Sequence, residues 1–231
     1  HTRYIGDWSS DVCSSDLEKC GRQQNQPWLE SFCHTASQAW KLNKVTTVIA
    51  VTTVMAFMFP GLTAVLQLDF NSIVQGQWWR LLTGHLTHYD GQHLFWDLLM
   101  FVVLGAVCER QYRKLFAPAL VLMATVVSVT VFLSCHGISE YRGLSGIDTG
   151  LFAWLIIGQL RASLTARDRY FSAFWTACGL SLIGKLFFEM LTGDVLFVQT
   201  QGFEPMLESH LAGAAVGVTA GLVSLASLQQ E

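Results

Sequence analysis

The sequence predicts an all-α polytopic membrane protein, a single bundle of six transmembrane helices. Only 13% of its 231 residues are charged and 52% are hydrophobic, whereas a soluble domain carries about 25% charged residues. In addition, six apolar stretches approach or reach the length that crosses a bilayer. Lipid is therefore the expected solvent for most of the chain, and the bilayer is its first expected partner.

The six predicted spans follow one another with short connections after the first. A spanning helix needs about 20 mainly apolar residues; the second and fourth spans are shorter and begin with polar residues. Together the spans predict one membrane domain over residues 44–228. In chain order they cover residues 44–64, 93–109, 115–135, 145–160, 170–190 and 209–228.

The N-terminal segment is expected to lie outside this domain. Asp7 to Leu17 reads as the translation of a common sequencing-library adapter. We therefore treat residues 1–17 as non-native and exclude them from fold reasoning; the alternative is a disordered polar tail. Residues 18–43 then form a cytoplasmic N-terminal segment.

Basic residues predict the orientation of the bundle. Eight of them precede the first span or lie between spans two and three or four and five, against two in the opposite loops. Because lysine and arginine favour the cytoplasmic side, both termini are predicted to be cytoplasmic. This bias fits a bacterial inner membrane, with the membrane of a eukaryotic organelle as the alternative. The eight are Lys41, Lys44, Arg110, Arg113, Lys114, Arg161, Arg167 and Arg169; the two are Arg80 and Arg142.

This orientation gathers polar residues at one depth. Spans two, four and six all run inward, so their first residues, which include His93, Ser145 and His210, lie just below the outer surface. Ionisable groups inside a membrane are costly and are therefore functional candidates. The site is predicted to face the periplasm.

A serine and a histidine at one depth predict a nucleophile and its base. Ser145 needs an adjacent base to be activated, and imidazole titrates near neutral pH, which suits His210. Glycines every fourth residue after each of them allow close helix packing. The first-turn amides at Ser145 also favour an anion, as in an oxyanion hole.

A third polar cluster surrounds the start of the second span. His93 and Asp97 are four residues apart on one helical face, and His88 precedes them. An ionised Asp97 would repel a developing oxyanion, so we expect it to keep His93 protonated as a donor or to be protonated itself. Zinc or haem bound by His85, His88 and His93 is the alternative, but no H-E-x-x-H spacing supports it.

Two further polar features are predicted to be structural. Trp78, Trp79 and Arg80 lie in the long loop of residues 65–92, where tryptophan favours a half-immersed interfacial segment. Lys185 lies inside span five and can snorkel outward or pair with Glu189 one turn on. Six cysteines without C-x-x-C spacing read as buried apolar residues.

Taken together, these motifs resemble the rhomboid family of intramembrane serine proteases over residues 40–228. The resemblance rests on Trp79-Arg80, His88 and His93, Glu109-Arg110, Gly143-Leu-Ser145-Gly146, and His210-x-x-Gly213-x-x-x-Gly217. It implies Ser145 as nucleophile, His210 as base, and no cofactor or metal. It also implies an oxyanion site at the Ser145 amide and His93 and a structural tether at Glu109-Arg110. We expect His88, Asp97 and Gly143 to support the oxyanion site.

Two positions depart from the family pattern. Many rhomboids have asparagine where this chain has Asp97, and tyrosine where it has Thr149. The Gln77–His85 run and the Asp97 variant are most similar to rhombosortases, which remove GlyGly-type C-terminal anchors from secreted proteins. Membrane-anchored proteins are thus the expected substrates, and nucleic acid is not an expected partner. A catalytically inactive rhomboid-like binding protein is the alternative.

Overall fold

A computed structural model describes residues 43–134, 138–194 and 206–227. The predicted segments 1–17 and 18–43 lie outside the described residues, except for Asn43. The described chain is all-α apart from one two-stranded ladder, as the sequence predicts. Its elements are α1 (Lys44–Met58), α2 (Pro60–Leu66), β1 (Leu68–Asp69), α3 (Phe70–Val74), α4 (Arg80–Thr83), a 3-10 turn (Gly84–Leu86), α5 (Gly91–Gln111), α6 (Arg113–Ser134), β2 (Glu140–Tyr141), α7 (Ser145–Thr165), α8 (Arg169–Thr192) and α9 (Leu207–Ser227).

The helices α5, α6 and α8 are long and apolar enough to cross a membrane. The pair α1 and α2 adds a fourth candidate span if it is counted as one. The helices α7 and α9, of 21 residues each, also lie on predicted spans. The structure therefore supports an integral membrane protein, and the count of six spans stays a prediction.

The prediction of one continuous helix over residues 44–64 is wrong. The helix α1 ends at Met58, and α2 starts at Pro60 at an angle of 117° to it. Proline lacks an N–H and disfavours helical backbone in the residue before it. Phe59 is accordingly extended, with φ −118° and ψ 96°.

The helix α7 occupies the centre of the bundle and packs against α5, α6, α8 and α9. Its residues Leu151 and Trp154 are fully buried, and the Trp154 ring stacks on Tyr112 with centroids 4.7 Å apart. The helix α8 is different, because Glu189 is the one residue it buries in the described structure. Its apolar surface suits contact with lipid.

Polar contacts tie the long first loop and the first helix to this core. Arg80 is buried and donates from Nη1 to the carbonyl oxygens of Ala64 and Gln67 at 3.0 and 2.7 Å. The strand β1 pairs antiparallel with β2, directly before α7. The Glu109 carboxylate accepts the backbone N–H groups of Val45 and Thr46, both at 2.9 Å, which orients the start of α1.

Candidate active site

Close contact between α7 and α9 brings the turns that carry Ser145 and His210 together. A methyl group at Gly146 would lie 3.0 Å from the carbonyl oxygen of Ser209, and one at Gly150 would lie 2.7 Å from that of Gly213. Residues that follow one another on α7 thus meet residues that follow one another on α9. The two helices therefore run in the same direction and start at the same end.

Ser145 is the first residue of α7, and His210 is buried in the first turn of α9. No hydrogen bond joins the two side chains among the described contacts. The Ser145 carbonyl accepts a hydrogen bond from Thr149 Oγ1 at 2.8 Å. Catalytic hydrogen bonds are often long in unliganded enzymes and tighten when substrate binds.

Asp97 places one carboxylate oxygen against the amide of Ser145. Asp97 Oδ2 accepts the Leu144 and Ser145 N–H groups at 2.9 and 3.1 Å. His88 Nε2 and His93 Nε2 lie 3.2 Å from the same oxygen. Two amides and two imidazoles around one negatively charged oxygen make this an anion-binding pocket.

Gly143 makes the approach of the backbone to this pocket possible. Its φ of +121° lies in a region that favours glycine. A methyl group there would lie 2.8 Å from His93 Nε2 and 3.1 Å from Asp97 Oδ2. The predicted supporting residues His88, His93, Asp97 and Gly143 are therefore all placed together beside Ser145.

The surroundings of His88 and His93 hold both rings in place. The His88 side chain is fully buried, and burial lowers its pKa against the opposing attraction of Asp97. The Tyr89 ring stacks on His93 at an interplanar angle of 10° and a centroid separation of 6.0 Å. Asp90 accepts the His93 N–H at 2.9 Å and caps the helix that carries it.

The same cluster has the donor set of a divalent-metal site. One ligand atom each from His88, His93 and Asp97 lies within 4.8 Å of the others. His85, which the sequence-based alternative included, does not belong to it. Its Nδ1 lies 3.1 Å from the carbonyl oxygen of Gly143, and its Nε2 lies 3.0 Å from that of Ala124, so its ring joins the first loop to α6.

Sequence reasoning missed two residues of the site. Glu189 Oε2 lies 2.8 Å from His210 Nδ1, while Glu189 Oε1 lies 2.6 Å from Lys185 Nζ. The predicted pairing of Lys185 with Glu189 is confirmed, but its connection to His210 depends on how α8 faces α9. Tyr141 is the second residue, with its buried hydroxyl near the side chains of Ser145 and Ser209. Burial raises the pKa of this phenol.

A comparison with known protein families decides the assignment. The Rhomboid domain family matches residues 75–227, which include α5 to α9 and every residue of the candidate site. The chain belongs to the rhomboid family. Rhomboids are generally intramembrane serine proteases, which agrees with a serine and a histidine at adjoining helix starts. No curated protein matches this rhomboid chain.

Proposed function

We propose that this rhomboid is an active intramembrane serine protease with Ser145 as nucleophile and His210 as general base. The observation that carries the proposal is the anion pocket at the Ser145 amide. Acyl transfer requires a nucleophilic serine whose own backbone N–H helps to hold the anion that forms. The close glycine contact of α7 with α9 brings the helix starts that carry Ser145 and His210 together, which supports His210 as the base.

The first half of the reaction forms an acyl-enzyme. Ser145 Oγ attacks the scissile carbonyl carbon, and His210 Nε2 accepts the hydroxyl proton. His210 then donates this proton to the leaving amine as the peptide C–N bond breaks. A water molecule, deprotonated by the same imidazole, hydrolyses the ester and restores Ser145.

The oxyanion of this reaction has a definite place. Asp97 Oδ2 now occupies the point where the Leu144 and Ser145 N–H groups and His93 Nε2 converge. A second negative charge there would be repelled, so the Asp97 carboxylate is protonated or displaced when the substrate reacts. If the carboxylate is displaced, the two amides and His93 stabilise the oxyanion; if it is protonated in place, its O–H becomes a further donor to the oxyanion.

Labelling with a fluorophosphonate tests the proposal, because such probes react with activated serines. The wild-type protein, purified in detergent, should be labelled, whereas Ser145→Ala and His210→Ala should not. Ser163→Ala is the matched control, since Ser163 lies near the other end of α7, where its hydroxyl donates to the carbonyl of Leu160 and accepts from Ser172 of α8. Equal labelling of wild type and Ser145→Ala would exclude Ser145 as the nucleophile.

One observation favours a second candidate function, a rhomboid-like protein that holds membrane segments without cutting them. The oxyanion position is already filled by the Asp97 carboxylate. If this carboxylate stays in place, the tetrahedral intermediate is not stabilised. Reconstituted protein that binds a model transmembrane segment, with no cleavage between pH 5 and 8, would establish this second function.

For the substrate, we propose a C-terminal anchor of the rhombosortase type, with Gly-Gly, an apolar helix and a basic tail. The similarity of the Gln77–His85 run and of Asp97 to rhombosortases supports this class. A glycine pair is conformationally free and unwinds readily at the outer surface. Wild-type protein in liposomes should cleave a Gly-Gly anchor faster than the same anchor with Leu-Leu. Equal rates would contradict the preference.

A further inference from the structure

We infer that Glu189 is a positioning residue, the third member of a Ser145–His210–Glu189 triad. The inference rests on the proposed function and deepens it. Glu189 lies on α8, and its carboxylate contacts His210 Nδ1 at 2.8 Å. The Glu189 side chain is 3% exposed and that of His210 is 4% exposed, so the contact is shielded from water.

The contact selects the imidazole tautomer that catalysis needs. A carboxylate accepts a hydrogen bond, so His210 carries its proton on Nδ1 and leaves the lone pair on Nε2. Nε2 is then the nitrogen that can accept the serine proton. The same carboxylate stabilises the imidazolium that forms when the proton arrives.

Lys185 neutralises the negative charge of the buried Glu189 carboxylate. Its Nζ lies 2.6 Å from Glu189 Oε1 and 3.4 Å from His210 Nδ1. A buried carboxylate is costly when ionised unless it is paired, and Lys185 supplies the pair. With a neutral His210, the side chains of Lys185, Glu189 and His210 together carry no net charge, and proton transfer from Ser145 gives these three a net positive charge that balances the developing oxyanion.

The described neighbours of the triad contribute further charges. From α7, the Asp148 carboxylate is buried, lacks a hydrogen-bond partner and interacts with the charge of Lys185. From α5, Asp97 interacts with the charge of Asp148. On α9, Glu208 is exposed two residues before His210. Only Glu189 and Lys185 come within hydrogen-bonding distance of the His210 ring among these groups.

The architecture of α8 supports a role beyond packing. Glu189 is the one residue that α8 buries in the described structure, and the rest of the helix presents exposed or half-exposed side chains. If this position only had to pack α8 against the bundle, an apolar side chain would do so at a lower cost in folding free energy, because a buried ion pair seldom adds net stability. The carboxylate is instead aimed at the proposed base.

The first experiment measures the fluorophosphonate labelling rate against pH for wild type, Glu189→Gln and Glu189→Asp. Glu208→Gln is the matched control, with the same change in an exposed residue of α9. We expect Glu189→Gln to label about 10²- to 10⁴-fold more slowly, as when the acid of a Ser-His-Asp triad is neutralised. Glu189→Asp should recover part of the rate, and the acid limb of the pH profile should move only in the Glu189 variants.

The second experiment does not depend on whether the Glu189 variants fold. In wild-type protein labelled with ¹⁵N-histidine, the resonances that disappear in His210→Ala should show the Nδ1–H tautomer. The opposite tautomer would overturn the inference, as would equal labelling rates for Glu189→Gln and wild type. Failure of the proposed function is distinguishable, since it would appear as labelling that persists in Ser145→Ala.

Discussion

Asp97 is the residue whose charge most directly opposes the proposed reaction. Its Oδ2 holds the position between the Leu144 and Ser145 N–H groups that a reacting carbonyl oxygen would take. Two like charges about 4 Å apart repel by about 4 kcal/mol at an effective dielectric constant of 20. In the proposed mechanism, the ionised carboxylate therefore opposes the reaction until its charge is removed.

Replacing Asp97 by asparagine tests this restraint. Asp97→Asn removes the charge and gives the oxyanion a neutral N–H donor, so we expect fluorophosphonate labelling at pH 7 to become at least about tenfold faster. Asp194→Asn, at the exposed end of α8, is the control for a change in total charge. Slower labelling of Asp97→Asn would show that the carboxylate assists the reaction through His88 or His93.

The residues of the site differ in how far the sequence predicts them. Ser145, His210 and the His88–His93–Asp97 cluster follow from polar residues at one end of apolar spans. The contact of Asp97 with the Ser145 amide does not, because it depends on the left-handed backbone at Gly143 and on a side-chain rotamer. Glu189 was predicted only as a partner of Lys185. Its contact with His210 depends on how α8 is rotated toward α9, which leaves no local signal in the sequence.

At the scale of elements, glycine contacts between α7 and α9 hold the proposed dyad in register. A methyl group at Gly213 would collide with the backbone carbonyl of Gly146. Because this carbonyl belongs to the helix backbone, the clash is relieved only if the two helices move apart. Overpacking of this kind costs about 1–3 kcal/mol. It would also displace His210 from Ser145, and a displacement of about 1 Å costs roughly 10²-fold in rate.

The variant Gly213→Ala should therefore lose both thermal stability and serine labelling. Gly184→Ala is the matched control, because a methyl group on Gly184, which lies on α8, would have no neighbour within 4 Å outside its own helix. Alanine favours a helix more than glycine does, so this control should keep or raise the melting temperature. Thermal unfolding in detergent and labelling on the same samples measure both effects. Unchanged labelling in Gly213→Ala would show that the glycine contacts between α7 and α9 do not position the dyad.

The tether of α1 is a second prediction for an element. Glu109 is buried and accepts hydrogen bonds from Val45 N and from Thr46 N and Oγ1. Glu109→Gln weakens these charge-assisted bonds and should lower stability by about 2 kcal/mol, while folded protein keeps its labelling rate. Urea-dependent unfolding against the exposed Glu208→Gln measures the loss. Equal stability would mean that α1 is held by apolar packing alone.

Hydropathy predicted the long helices correctly but missed the bend that divides the first predicted span. The long helices α5 to α9 coincide with predicted spans because apolar length is a local property of the chain. The 117° bend at Phe59–Pro60 was missed although Pro60 signals it. The pairing of Leu68–Asp69 with Glu140–Tyr141 could not be predicted, since two-residue strands lack a periodic pattern.

For the whole molecule, the helix contacts give a common direction to the three helices that carry the site. Asp97, in the first half of α5, meets the start of α7, and Cys108 Sγ lies 3.8 Å from the carbonyl oxygen of Leu151 further along both helices. The glycine contacts give α9 the same direction as α7. The proposed active site therefore lies at one end of the bundle, and Arg110 and Arg161 lie toward the other ends of their helices.

Reporter fusions in bacteria test which end faces the cytoplasm. Because eight basic residues lie on the predicted inner side and two on the outer side, a green fluorescent protein fused after residue 231 should fluoresce. Alkaline phosphatase at the same point should be inactive, since it folds only in the periplasm. Fusions after Arg142, next to the site, should give the reverse pattern and serve as the internal control. Active phosphatase at the C-terminus would place Ser145 on the cytoplasmic side and would remove secreted anchors from its accessible substrates.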